Sequence, residues 1–325
     1  MKYCSRILKA FQILRAGFER RQEDYENIGK KADDRRGVPF RFCLLHSLLC
    51  LSVLENEGSE DVIKQGKEQY KELENGIYIG EMLNGKLEGK GNLQYYVGDV
   101  YSGEFADNQK NGEGEYTYAD GSVYTGGYKD GKREGDGTFQ FADGSVYKGQ
   151  WQNDYIQGKG EYKKNNGDVL KGVFKENALE DGTYKYADDE GTYTLQLKNG
   201  RLTGEAKAVL SNGDTYDGKV ENGKFSGTCS ITYDDGDTYS GGVVQGLKSG
   251  TGTYHWKGDG DYYSGKWDKD KMSGTGEYHY TKEKFPYIKG NFQSNKPNGT
   301  CTYYKSKSVK YTTYWEKGSC TKVSK

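Results

Sequence analysis

Histidine is the most common general base and metal ligand, and this chain of 325 residues carries only three: His46, His255 and His279. His255 in "TYHWK" and His279 in "EYHYT" occupy equivalent places in neighbouring stretches. In extended strands both would point away from the rings beside them, and two strands of separation would leave them about 10 Å apart. Zinc ligands stand about 2 Å from their ion, so this pair makes no metal site. His46 lies far away in an apolar run. The fragments "GEGEY" (112–116) and "GTGEY" (274–278) resemble phosphate-cradling loops. However, GxG recurs along most of the chain, and no GxxxxGK[ST] follows a strand. Cys4, Cys43, Cys50, Cys229, Cys301 and Cys320 form no CxxC pair, and a disulfide framework is not expected at this size. That usage fits a reducing, intracellular compartment. Carboxylates are plentiful, and spacing singles out none of them. The expectation is a chain that is not an enzyme and uses no cofactor or metal.

The recurring glycines belong to a longer pattern. Aligned on the Tyr of "YxG", units start at Tyr78, Tyr101, Tyr124, Tyr147, Leu170, Tyr193, Tyr216 and Tyr239, every 23 residues, then at Tyr263 and Ile288, with a fragment at Tyr311. Fixed self-similarity of this kind is the signature of a repeat array. Within Tyr124–Val146, Tyr124, Gly126 and Tyr128 alternate with polar or small residues, as do Gly137, Phe139 and Phe141. Period two means strands with rings and glycines on one face. "KDGKREGD" reads as a turn-rich link and "ADGSV" as a second turn, so each unit is one hairpin. Asp120-Gly121 suggests a two-residue loop, yet Tyr118 and Tyr124 share a face only if the loop count is odd. A loop of three or five residues is expected, with Gly121 left-handed in a G1-type bulge. Glycines on the ring face leave slots in which a ring from the adjacent strand can lie.

The expected fold is mainly β: an elongated, twisted antiparallel β-ribbon of consecutive hairpin repeats, with a short helical N-terminal segment. About twenty strands at ~4.8 Å would span on the order of 95 Å. The rings proposed for the repeat face are Tyr101, Tyr116, Tyr118, Tyr124, Tyr128, Phe139, Phe141, Tyr147, Trp151 and Tyr162. Composition agrees. Only 33% of residues are hydrophobic and mean hydropathy is −0.99, but 30 Tyr, 11 Phe and 4 Trp exclude a disordered chain. The Leu170 and Tyr193 units depart from the pattern, with Asp181 and Leu195 for Gly and Leu197, Ala206 and Ala208 at ring positions.

The pattern YxGxxxxGxxxGxGxxxxxDGxxY, fullest in Tyr101–Val123, Tyr124–Val146 and Tyr216–Thr238, resembles the MORN repeat (membrane occupation and recognition nexus) over residues 78–320. The resemblance implies a twisted antiparallel ribbon. It also implies a role among tethers and scaffolds: junctophilins that join two membranes, ciliary radial-spoke components, and protist cytoskeletal scaffolds, some of them homodimers. MORN repeats also act as targeting regions beside plant phosphatidylinositol phosphate kinases and some SET-domain methyltransferases. Residues 1–77 are short for such a catalytic domain. The function expected is a non-catalytic scaffold or tether that binds protein partners and contacts anionic phospholipid, not nucleic acid. The alternatives are a targeting subunit for a separate lipid kinase or a ciliary or cytoskeletal component, for which a homodimer is among the expected states. Localisation is expected to be cytoplasmic, peripheral to membrane, cytoskeleton or cilium.

Residues 1–77 form the first expected region. Ile7, Phe11, Leu14 and Phe18 fall on one helical face, with Arg15 and Arg20 among six cations near it. Such a helix either packs on the array or lies on an anionic membrane. "FCLLHSLLCLSVL" (42–54) is shorter than the ~20 residues of a spanning helix. It reads as a buried helix over the open ribbon end or as a membrane-inserted segment. Residues from about Asp61 to Leu73 read as helix. From Thr281 onward there are ten Lys against Glu283 and Glu316. Lys282, Lys284, Lys289, Lys305, Lys307 and Lys310 are therefore candidate contacts for an anionic surface, or else edge protection. Residues 321–325 read as a basic tail.

Overall fold

The computed structural model describes residues 68–325. The calls on residues 7–20 and 42–54 lie outside them. The fold is mainly β, with 23 antiparallel strands assigned to one sheet. The described residues fall into two compact units, 68–158 and 159–325. The first holds β1 (Gln69–Leu73), β2 (Gly76–Leu83), β3 (Lys86–Tyr95), β4 (Val100–Ala106), β5 (Gln109–Thr117), β6 (Val123–Lys129), β7 (Lys132–Gln140) and β8 (Val146–Gln152), and β9 (Tyr155–Lys163) spans the boundary. The second holds β10 (Val169–Lys175), β11 (Ala178–Asp188), β12 (Gly191–Lys198), β13 (Arg201–Leu210), β14 (Thr215–Glu221), β15 (Lys224–Thr232) and β16 (Thr238–Val244). It continues with β17 (Leu247–His255), β18 (Tyr262–Asp268), β19 (Lys271–His279), β20 (Tyr287–Gln293), β21 (Lys296–Tyr304), β22 (Lys310–Glu316) and β23 (Ser319–Ser324). Within each unit, strands pair with their neighbours in the chain, as β4 with β5 and β18 with β19.

One expectation is corrected. Gln69–Leu73 is not the end of a helix but strand β1, paired with β2 from Gln69↔Gly80 to Leu73↔Gly76. The outer strand of a hairpin offers a row of unpaired backbone groups. Pairing with that row outweighs the weak preference of a short charged segment for helix.

Two turn types alternate. The first needs only two residues, both left-handed: Asp130 at φ 50° with Gly131 at 82°, Asn153 at 49° with Asp154 at 72°. Most of the presumed "KDGKREGD" link is therefore strand, with β7 starting at Lys132. The second has three loop residues. The Tyr118 N–H donates to Ser122 O at 2.8 Å, and Gly121 N–H to Tyr118 O at 2.9 Å, with Gly121 at φ 89°. This odd count puts Tyr116 opposite Tyr124, and Phe141–Ser145 repeats it.

The glycine slots exist, and the ring in each belongs to the first Tyr of the unit. Gly103 faces Gly114 across β4 and β5. The Tyr101 ring lies along its own strand over both, where a methyl group on Gly114 would overlap it. The ladder then skips Glu104, and Tyr101 Oη donates to that residue's carbonyl at 3.0 Å. Tyr78, Tyr124, Tyr216, Tyr239 and Tyr263 do the same for Glu81, Gly127, Lys219, Gly242 and Lys266. A bulge leaves a residue out of the strand ladder, and the tyrosine hydroxyl satisfies the carbonyl so released. The rings also interlock. Tyr78, Phe105, Tyr101, Tyr128, Tyr124, Trp151 and Tyr147 form an edge-to-face chain with centroids 5.1–5.4 Å apart. Each such contact adds about 0.5–1.5 kcal/mol beyond area burial.

The aliphatic break is real. Leu195, Leu197, Ala206 and Ala208 are buried. Leu195 stands where the slot glycine would be, and the buried Tyr193 Oη has no hydrogen-bond partner. In the Ile288 unit the slot is filled differently. Cys301 faces Gly290, and its Sγ donates to Asn291 O at 3.8 Å, taking over from the missing tyrosine.

Candidate functional site

Of the ten rings expected on the repeat face, most are structural. Tyr101, Tyr124, Tyr128, Phe139, Tyr147, Trp151 and Tyr162 are buried. Tyr116, Tyr118 and Phe141 are half-buried. With Tyr95 and the top of Phe139 they form a stripe in the first unit. Centroids run 5.7, 4.5, 5.5 and 4.4 Å from Tyr95 through Tyr116, Tyr118 and Phe139 to Phe141, with planes tilted 38–49°. The second unit carries its own stripe, Tyr233–Tyr254–Trp256–Tyr278–Tyr280.

The polar ends of several stripe rings are tied down by the aspartate that precedes strands β4, β16 and β18. Asp99 accepts from Tyr116 Oη at 2.7 Å and from the Ala119 N–H at 2.8 Å. Asp237 accepts from Tyr254 Oη and the Lys257 N–H, and Asp261 from Tyr278 Oη. Burial, then the neighbouring carboxylate, pushes the Tyr116 and Tyr278 hydroxyls well above their ordinary range. Burial likewise raises Tyr95 to about 12. Tyr116, Tyr254 and Tyr278 thus present apolar faces with their hydroxyls already satisfied.

Three cations sit among the rings, and sequence reasoning missed them. The Arg133 guanidinium lies 4.3 Å from the Trp151 ring centroid and donates through Nε to Asp154 Oδ1 at 3.0 Å and through Nη2 to Asp154 O at 2.9 Å. Lys248 Nζ lies 5.2 Å from the Tyr254 centroid, donates to Tyr233 Oη at 3.2 Å and stands 3.9 Å from Asp270. Lys110 Nζ lies 4.5, 5.0 and 5.6 Å from the Tyr116, Tyr128 and Tyr101 centroids. A signal was available: Lys110 and Arg133 are 23 residues apart, at one repeat position.

The opposite face of the second unit differs. His255, Tyr262, His279, Tyr287 and Tyr304 face one another across β17–β21, with centroids 5.1, 4.1, 4.6 and 4.5 Å apart. The two histidines are thus separated by a tyrosine. Among the described residues no group of three or more His, Cys, Asp and Glu is placed to hold a metal ion. Beside the stack runs an open groove of about 790 Å³ lined by hydroxyls such as Ser240, Thr253 and Ser264, with Glu277 and Lys289 among the lining residues.

The lysines proposed for an anionic surface are exposed. Lys282 and Lys284 lie between β19 and β20, Lys305 and Lys307 between β21 and β22, and Lys310 opens β22. Lys289 on β20 is paired with Glu277 at 2.9 Å, which holds that carboxyl below its usual range despite burial. Among the described residues no helix is long and apolar enough to cross a membrane.

Hairpin units that satisfy their own bulges and stack their rings on the next unit define a β-repeat protein. The sequence pattern of the MORN repeat matches residues 78–100, 101–123, 124–146, 147–169, 216–238, 239–260, 263–283 and 289–308. The chain belongs to the MORN-repeat family. The matched segments omit 170–215, where the aliphatic break replaces slot glycines and rings. No curated protein matches the chain. Among solved structures, the SAS-4 (dCPAP) TCP domain of Drosophila melanogaster, in complex with a proline-rich motif of Ana2 (dSTIL), is 13% identical. That match covers 58% of this chain and 91% of the other, at TM-score 0.25. A catalytically inactive virginiamycin B lyase from Staphylococcus aureus, with quinupristin, is 10% identical over 79% of this chain and 88% of its own, at TM-score 0.14. At such scores neither likeness bears on function.

Proposed function

We propose that the chain is a non-catalytic repeat scaffold that binds protein partners through its ring stripes, with the lysine-rich region 282–310 contacting anionic membrane. The observation that supports this reading is the stripe of half-buried Tyr95, Tyr116, Tyr118 and Phe141, joined through the buried Phe139. Rigid rings offer apolar contact area at low entropic cost, and such rings are enriched in interface hot spots. Exposed lysines each add about 1 kcal/mol near an anionic bilayer.

Proximity labelling of the full chain in cells, beside Tyr118→Ala/Phe141→Ala, tests the first part. The variant should lose specific neighbours; an unchanged set removes the ring stripe as the binding face. Flotation with phosphoinositide-containing vesicles tests the second. Binding should fall with salt and with Lys305→Glu/Lys307→Glu; no binding at low salt removes the membrane contact.

A further inference from the structure

The three caged cations differ in one respect. In each case the second residue of the next repeat's two-residue turn donates its N–H to the cation's own carbonyl: Asp154 to Arg133, Asp270 to Lys248, Gly131 to Lys110. All three turn residues are left-handed, at φ 72°, 68° and 82°. Backbone geometry therefore places the same side-chain position beside each cation. For Arg133 and Lys248 it holds an aspartate whose Oδ1 also accepts the cation residue's own N–H, at 2.9 and 2.7 Å. For Lys110 it holds glycine, and a Cβ there would meet nothing within 4 Å. Lys110 is thus a half-buried ammonium enclosed by Tyr101, Tyr116 and Tyr128, without the carboxylate that the same site supplies twice elsewhere.

We infer that Lys110 is a modification site: a reactive amine that takes an acyl group from an activated acyl donor such as a thioester. The neutral Nζ lone pair attacks the thioester carbonyl, the C–N bond forms and the C–S bond breaks. The thiolate leaves with the C–S bonding pair, and the proton lost from nitrogen passes through solvent to it, giving the amide and the free thiol. Desolvation disfavours the charged form; the carboxylates of Asp154 and Asp99 oppose it and Arg133 adds to it, and the balance holds the Lys110 amine down at about 8. Acylation would remove the Lys110 charge from the first stripe and leave the Asp99 carboxylate on Tyr116 in place.

The test is quantitative mass spectrometry of the full chain exposed briefly to a small acetyl thioester across pH 7–10. Exposed Lys129 and Lys132 serve as internal references. At pH 7.5 Lys110 should acylate on the order of ten-fold faster, since its larger neutral fraction outweighs the nucleophilicity lost with basicity. The midpoint of its pH–rate curve should lie below theirs, which reports protonation whatever the steric access. Gly131→Asp, with the fold checked by circular dichroism, should move that midpoint up and leave the references unchanged. An equal midpoint for the three lysines, or one that Gly131→Asp does not move, overturns the proposal.

Discussion

Replacing Gly114 by Ala tests whether the ring slot organises the repeat. The added methyl would stand 2.5 Å from Tyr101 Cε2 and 2.6 Å from its Cζ, with Oη closer still. The nearest atoms all belong to that ring, so the ring must leave. Its departure costs two edge-to-face contacts, with Phe105 and Tyr128, and the hydroxyl bond to Glu104 O. At about 0.5–1.5 kcal/mol per ring contact and about 1 for the hydrogen bond, the loss is about 3 kcal/mol. In a Tyr101→Ala background the same methyl no longer meets that ring. Gly114 is not left-handed, so Gly→Ala there should be neutral or stabilising by about 0.4–1 kcal/mol, through the unfolded chain. The sign of the substitution should therefore reverse between backgrounds. A repeat array need not unfold in one step, so the readout is native-state hydrogen exchange of β4–β6 amides together with urea unfolding. Equal costs in the two backgrounds, and hence no coupling in the double-mutant cycle, would refute the slot.

Tyr101→Phe should cost about 1 kcal/mol by leaving the bulge carbonyl unpaired, whereas Tyr193→Phe, which removes an unpartnered buried hydroxyl, should be neutral or stabilising in the same urea assay. Ile288→Tyr alone should destabilise by about 1–3 kcal/mol because Cys301 occupies the slot, and Ile288→Tyr/Cys301→Gly should recover most of that loss. Alkaline titration should show two opposed windows. Lys110, depressed to about 8, favours folding progressively as pH rises from 8 towards its unfolded value of about 10.5, because only the unfolded chain then holds that proton. Tyr78 and Tyr263, raised by burial to about 12, contribute stability that is present below pH ~10 and lost as pH rises towards 12. Ring resonances of Tyr78 or Tyr263 that shift to the tyrosinate form at pH 10 without unfolding would contradict the second window.

Periodicity alone determined the hairpin unit, the face shared by rings and glycines, and the odd second turn, because a strand's period of two ties each ring's face to the residue count between rings. It also located the aliphatic break at Leu195, Leu197, Ala206 and Ala208. Strand β1 was not legible, because its pairing depends on an edge supplied by β2 and not on its own charged residues. Nor was the division of the ring face into buried and half-buried members. Tyr101 and Tyr118 look alike in the repeat, but one lies over two glycines and the other stands beside Tyr116 at the stripe. The caged cations were hidden for the same reason. The alternation of rings and glycines places none of Lys110, Arg133 and Lys248 among the rings. Only the fold sets them against rings, and only the neighbouring repeat decides whether an aspartate or a glycine completes the site.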